Sequence, residues 1–444
     1  MSFPRYESYK DSGVEWLGEV PAHWNIRRIA SIFSESHEMG NVDLPVLSVS
    51  INWGISDYEL GDEDRHRIVN QIEDKTAYKR VRPGDLVYNM MRAWQGAFGV
   101  AIIDGLVSPA YVVARPNKKI HSSYFESLFR IPMYIEEFRR ASKGIADFRQ
   151  RLYWEHFRQV KVVFPPLDEQ IAIAAFLDRE TGKIDALISE QQRLIELLKE
   201  KRQSVISRAV TKGLNPAAPM KDSGIEWLGE VPEHWALKRL KRNLRLLTEK
   251  TSQRDNPVAL ENVESWSGRF IQTETLFEGE GIAFERGDIL FGKLRPYLAK
   301  AYLTENTGEA IGDFHVLRPT NDIDSRFSQY QILNREFIAI VDGSTFGAKM
   351  PRVNWEFLGN IVLTTPPLVE QQTIAAFLDR ETAKIDALIA EQQRAITLLQ
   401  ERRAALISAA VTGKIDVRKW NNPGDADLSR NQSEENIPIN EARA

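Results

Sequence analysis

From Ile184 onward apolar residues recur at three- and four-residue steps and their sums: Ile184, Leu187, Leu194, Leu198 and Val205. Polar residues fill most positions between them, a spacing that predicts an amphipathic helix with a heptad seam. The pattern returns at Ile385, Leu388, Ala395, Leu399 and Leu406, and Gln191/Gln392 and Lys201/Arg402 interrupt both copies at matching places. A second apolar stripe lies beside each seam, formed by Ile188, Ile195 and Ile206 in one copy and by Ile389, Ile396 and Ile407 in the other. Two adjacent stripes exceed what one helical partner covers. The expectation is that the copies pair antiparallel through the seam and leave the isoleucine stripe free to bind another protein. Gly182 aligns with Ala383, so the backbone there needs no positive φ and helix can run through it. Gly213, with Pro216 shortly after, is a stop signal for the first copy.

These helices belong to a larger duplication. Pro165–Gly213 is repeated as Pro366–Lys414 with about two-thirds of positions identical, and KDSGVEWLGEVPAHW at Lys10–Trp24 reappears as KDSGIEWLGEVPEHW at Lys221–Trp235. One unit is written twice. The segments between the repeats read as mixed α/β. Leu47, Val49 and Ile51 alternate as a strand does, Arg82–Asp85 forms a turn before a strand at Leu86–Tyr88, and Gly99–Ile103 and Ala110–Ala114 are further strands. Tyr124–Arg140 reads as helix disturbed at Pro132. Between the two segments Gly84–Tyr88 matches Gly287–Phe291, Arg92 matches Arg295, Val113–Pro116 matches Val316–Pro319, and Trp154-Glu155 matches Trp355-Glu356. Around that skeleton they differ almost everywhere, as expected if each recognises a different half of one target.

The predicted architecture is therefore α+β: two tandem mixed α/β recognition domains separated by two long, antiparallel-paired helices with pseudo-two-fold symmetry. The boundaries expected are an N-terminal repeated segment at 1–24, a first recognition domain at 25–164, a central helical region at 165–213, a linker with the second Trp/Pro segment at 214–235, a second recognition domain at 236–365, a C-terminal helical region at 366–420 and a polar, disordered tail at 421–444.

Composition narrows the chemistry. Cysteine is absent, which excludes disulfides and Cys-ligated metal, and the seven histidines show no metal-ligand spacing. No apolar leader opens the chain and no stretch approaches the length of a membrane span, so a soluble cytoplasmic protein is expected. A net charge of −4 does not by itself suggest nucleic acid. Catalytic motifs are thin. Phe277–Gly281 formally fits the FxGxG loop of methyltransferases, but it lacks a preceding apolar strand and carries two acids. Phe164–Leu167 and Thr365–Leu368 share only their prolines with an NPPY-type loop, and Gly343–Lys349 has the wrong spacing for a phosphate-binding loop.

Binding chemistry is richer. Asn89, Arg92, Trp94 and Gln95 gather amide, guanidinium and indole groups just after a strand, and Lys293, Arg295, Tyr297 and Lys300 form the counterpart. A second cluster holds Lys143, Arg149 and Arg151, matched loosely by Lys349 and Arg352. Arg and Lys read guanine O6/N7, Asn and Gln read adenine, and aromatic rings stack on bases. A two-lobed scaffold that joins proteins without touching DNA is the competing reading of the same duplication.

With GVEWLGEVPAHW, GDLVYNMMRAWQGAFG, GDILFGKLRPYLAK and the doubled PPLxEQ…IAAFLDRET pattern, the chain resembles the specificity subunit of type I restriction–modification systems from Lys10 to Lys414. The resemblance implies two target-recognition domains that each read half of a bipartite sequence in double-stranded DNA. It implies that the helical regions set the spacing and dock two modification (methyltransferase) subunits, with restriction subunits joining the assembly. It also implies that the chain itself is non-catalytic and needs no cofactor. Adenine methylation, S-adenosylmethionine, ATP and Mg then belong to the partners.

Overall fold

The computed structural model describes residues 3–40, 42–51, 54–57, 75–144, 150–251, 256–273, 280–345, 350–418 and 420. The chain forms two compact units, one made of 1–189 with 396–444 and one of 190–395. Each contains one recognition domain and parts of both long helices. The polar tail from 421 and residues Phe277–Gly279 of the FxGxG-like loop lie outside the described residues.

In the first unit a four-stranded antiparallel sheet has the order Phe33–Ser36, Tyr111–Pro116, Leu86–Asn89, Phe98–Val100. Strand Asn25–Arg28 pairs separately with Lys161–Phe164, which leads into the central helix. Two helices, Ser122–Phe129 and Pro132–Ala141, cover one face of the sheet. They are two because Pro132 cannot donate to the preceding turn and instead starts the second helix. Phe98, Phe129, Phe138 and Phe157 pack ring to ring beneath them and are fully buried. Gly84 turns at φ +90°, and Asp85 behind it caps Arg82 N–H and takes the Arg115 guanidinium at 2.8 Å.

The second unit repeats the same order with Leu244–Leu247, Phe314–Pro319, Ile289–Gly292 and Ala301–Leu303. Strand Ala236–Arg239 pairs with Val362–Thr365, Ser325–Ile332 and Arg335–Gly343 are the covering helices, and Asp288 takes Arg318 at 2.8 Å. A second four-stranded sheet of Lys250–Thr251, Gly281–Phe284, Gly308–Ile311 and Pro257–Val258 has a shorter counterpart in the first unit, where Lys79–Val81 pairs with Gly105–Val107 and single bridges join Met39 to Lys79 and Val46 to Leu106.

The central helix spans Leu167–Lys212 and the distal helix Leu368–Val411. At 46 residues the first is about 69 Å long, at 1.5 Å per residue. It passes through Gly182 and begins well before Ile184, because Pro165-Pro166 fixes the entry and Gln170 ties it down. The buried Gln170 amide donates to Pro165 O at 2.9 Å and accepts His121 N–H at 3.0 Å. Gln371 repeats this with Pro366 O at 2.8 Å and Asp324 N–H at 2.9 Å. Glu169 is also buried, accepting Tyr6 Oη at 2.8 Å and Trp24 Nε1 at 3.0 Å. Its copy Glu370 meets His234, as Glu169 meets His23, but among the described residues Trp235 Nε1 has no partner.

The helices run antiparallel: in the first unit Arg403 meets Asp185, and in the second Arg202 meets Asp386. The buried face draws on both stripes: Ile184, Ile385 and Leu406 of the predicted seam are buried, but so is much of the isoleucine stripe expected to be free. Ile195, Ile206 and Ile396 are buried, and Ile188, Ile389 and Ile407 are partly so, whereas Leu187, Leu194 and Leu388 of the predicted seam are exposed. The facing set is Ile184, Ile188, Gln191, Ile195, Leu198, Arg202 and Ile206, which keeps four-three steps up to Arg202 and then takes a four-residue step to Ile206. Its polar members are Gln191 and Arg202, and Lys201 points to solvent. The isoleucines expected to be free for a partner are thus in large part spent inside the protein.

Candidate nucleic-acid interface

In the first unit the strand Leu86–Asn89 ends in a tight reversal. Asn89 Oδ1 accepts Met91 N–H at 2.9 Å, Ala93–Gln95 makes a 3₁₀ turn, and Gly96 closes it at φ +93°. Trp94 Nε1 donates to Met91 O at 2.9 Å, which fixes the indole plane at the surface. Arg92 and Gln95 stand exposed beside it. The second polar cluster comes to the same place. Lys143 and Arg151 exchange two backbone hydrogen bonds of 2.9 Å, and Leu152 N–H donates to Met90 O at 2.9 Å. A hairpin carrying Lys143 and Arg151 is thereby stitched to the loop carrying Arg92. Arg149 lies outside the described residues.

The second unit builds the same stitch from different residues. Val353 N–H donates to Lys293 O at 3.0 Å and Arg295 N–H to Pro351 O at 2.8 Å. Arg295 sits at φ +50° and Ala299 at φ +47°, both in the left-handed region. That conformation costs a residue with a Cβ about 1–2 kcal/mol, and Pro296 restricts Arg295 further. Arg295 is exposed on this turn and the Tyr297 ring is half-exposed beside it.

The remaining candidates divide. Arg352 Nη2 donates to Asp313 Oδ2 at 2.9 Å, and Lys293 Nζ lies 3.8 Å from the same carboxylate, so these two cations share one anion. Lys300 is turned inward: its ammonium donates to Leu260 O at 2.7 Å, and burial lowers its pKa. Lys349 lies outside the described residues. Two residues missed from sequence complete the floor. Asp313 neutralises part of the cluster, and His315 Nε2 bonds Val353 O at 3.1 Å with its pKa lowered by burial, which keeps it neutral at pH 7. A lone acid just before a strand and a lone histidine within it carry no distinguishing pattern.

Each surface thus offers guanidinium and aromatic groups on a rigid, backbone-stitched loop, chemistry that suits base edges, stacking and phosphate. Among the described residues no group of acids and histidines could hold a metal ion, and no helix is long and apolar enough to cross a membrane.

Comparison with known proteins gives this chemistry a context. Residues 273–398 match the family model of the type I restriction modification DNA specificity domain. The chain is 24% identical over 280 residues to the EcoDI type I restriction enzyme specificity subunit of Escherichia coli, covering 58% of this chain and 62% of that subunit. It is 22% identical to the MjaX type I specificity subunit of Methanocaldococcus jannaschii, covering 94% of this chain and 99% of the other. Its fold is shared with a chain from a structural study of type I R-M complex assembly, at TM-score 0.67, 14% identity and coverage of 89% and 99%. The HsdS subunit of Thermoanaerobacter tengcongensis superposes at TM-score 0.52, with 14% identity and coverage of 89% and 98%. These matches point the same way as the resemblance read from the repeated motifs, toward type I specificity subunits.

Proposed function

We propose that the chain reads a bipartite, asymmetric site in duplex DNA, one half through each recognition domain, and docks modification subunits on its long helices. The observation that carries this is the doubled stitch. Leu152 to Met90 and Val353 to Lys293 hold the same loop pair in the same way, yet the side chains displayed differ. A scaffold that only joined proteins would have no use for one rigid frame dressed with two different sets of guanidinium, amide and aromatic groups. Methyl transfer to adenine, DNA cleavage, and the S-adenosylmethionine, ATP and Mg they require fall to the modification and restriction subunits in the cytoplasm. The test is to co-purify the chain with its modification subunits, measure retardation of duplex DNA, and map the methylated adenines. The expected result is an interrupted motif with two unlike halves. A stable complex that retards no duplex would favour the scaffold reading. Methyl transfer by the purified chain alone would overturn the division of labour.

A further inference from the structure

The segment ALKRLKRNLR, residues 236–245, lies outside every recognition loop described above. Leu240, Asn243 and Leu244 are buried, and Leu240 N–H is fixed to Ile361 O at 2.8 Å. Between these anchors Lys238, Arg239, Lys241, Arg242 and Arg245 all point to solvent. None of the five has a carboxylate within 4.0 Å among the described residues, and Arg239 reaches only the Asn360 amide oxygen at 3.4 Å. Arg245 stands opposite Arg318 across the sheet, but Arg318 is already taken by Asp288 and Glu285. Crowding cations without counter-charge opposes folding and is relieved by a polyanion.

We infer that these five residues form a further contact surface for the phosphate backbone of a DNA duplex, continuous with the loop that carries Arg295. An open groove of ≈ 500 Å³ lies between Lys241, Arg242, Arg245 and Trp355. Trp355 follows Val353, which is bonded to Lys293, and its ring lies 6.2 Å from His315 beneath the loop. The cationic surface and the candidate reading loop therefore share one support. A duplex carries one negative charge per about 1.7 Å of axis, so irregularly spaced cations each find a phosphate. An acidic protein surface would need its carboxylates placed to match. The first domain has no equivalent: its strand Asn25–Arg28 offers Arg27 and Arg28, and Arg27 lies over the Phe164 ring at 4.8 Å. The two half-sites would accordingly be held with unequal electrostatic grip.

This inference rests on the DNA-reading function proposed above, and one experiment separates the two. The full chain with its modification subunits is titrated with a duplex carrying its site and with an unrelated duplex, across a salt series. The triple variant Lys241→Gln/Arg242→Gln/Arg245→Gln is compared with wild type, and Lys238→Gln/Arg239→Gln serves as a second variant should the first melt lower. Affinity should fall by the same factor on both duplexes, the log–log salt slope should flatten by up to about 0.9 per contact removed, and the methylated motif should stay the same. Unchanged affinity and slope in both variants, while wild type binds its site, would overturn the phosphate surface and leave the half-site reading intact. Loss of a modification subunit from the variant would assign the surface to a protein instead and equally overturn it. Failure of wild type to bind any duplex would remove the premise itself.

Discussion

Arg403 grips Asp185 with two hydrogen bonds, Nε to Oδ1 at 2.8 Å and Nη2 to Oδ2 at 3.1 Å, one from each long helix of the first unit. The repeat places the same pair in the second unit as Arg202 and Asp386, at 3.0 Å. The copies are not equal in environment. Side-chain exposures are 40% and 50% for Arg403 and Asp185, against 9% and 18% for Arg202 and Asp386. Asp386 also receives Arg269 at 2.6 Å, and Arg202 donates to Trp266 O at 3.0 Å.

Asp386→Ala should therefore cost far more than Asp185→Ala. Removing one partner of a buried pair strands the other charge, at about 3–5 kcal/mol, whereas an exposed pair contributes about 0–1 kcal/mol. Urea melts of the two variants should separate clearly, and equal midpoints would show that burial does not govern these clasps.

Ile195→Glu and Ile396→Glu should destabilise the protein rather than selectively release a partner, because both side chains are buried, at 5% and 3% exposure. An unpaired buried carboxylate belongs to the costly class of substitutions, above about 4 kcal/mol. Leu197 and Leu398 are 53% and 64% exposed on the same helices. Leu197→Glu/Leu398→Glu should leave the melting temperature unchanged and weaken co-purification of the modification subunit. Intact assembly in that double variant would move the docking surface off these helices.

Arg92→Ala and Arg295→Ala should each weaken recognition of one half-site only. A bidentate contact to guanine would show as about 1–3 kcal/mol of lost discrimination at one base pair. A phosphate contact would lower affinity on all sequences alike and flatten the salt dependence. Competition binding against single-base variants of the site tells these apart, and no change in either variant would shift the reading surface within the domains.

Ala299→Gly should stabilise the second recognition domain by up to about 1 kcal/mol, since Gly removes the Cβ penalty at φ +47° and outweighs its own unfolded-state entropy. The matching position in the first domain already has Gly96, at φ +93°. Gly96→Ala should destabilise, with its new Cβ 3.0 Å from Ile135 Cδ1. Calorimetry should show shifts of opposite sign.

The long helices should act as a ruler. As the central helix advances from 185 to 202 its partner retreats from 403 to 386. One heptad inserted after Gln192 and one after Ala395 therefore enter at the same level and preserve the phase of the seam. Each adds about 10 Å, or roughly three base pairs at about 3.4 Å. Methylated motifs should keep both half-sites and gain about three unread base pairs, whereas an unchanged gap would show that the helices do not measure distance.

The duplication, the antiparallel helices and the shared sheet skeleton were all legible in the sequence, because Ile, Leu and Gly-Asp recur at fixed spacings. The facing side of the helices was not. Ile184, Leu187, Ile188, Leu194, Ile195, Leu197 and Leu198 support two phases equally well. The choice between them turns on two polar residues in the seam: Arg202, which finds Asp386 there, and Gln191, whose Oε1 is buried without a hydrogen-bond partner among the described residues. The candidate loops were found as two separate clusters. Their union depends on backbone bonds such as Leu152 to Met90, which carry no residue preference and leave no trace in composition. The inward turn of Lys300 is hidden for a similar reason, since it is a carbonyl, at Leu260, that claims its ammonium.

Gln170 and Gln371 fasten each helix start to a recognition domain by gripping His121 N–H and Asp324 N–H, which are main-chain groups. A fastening that touches only peptide units is indifferent to which side chains the domain carries. This grip therefore survives changes among the domain's side chains, whereas the contacts of Arg326 and Tyr330 with Asp379 do not. Drift in the recognition surface leaves the two glutamine fastenings in place, and only the side-chain contacts with the helix must change with it.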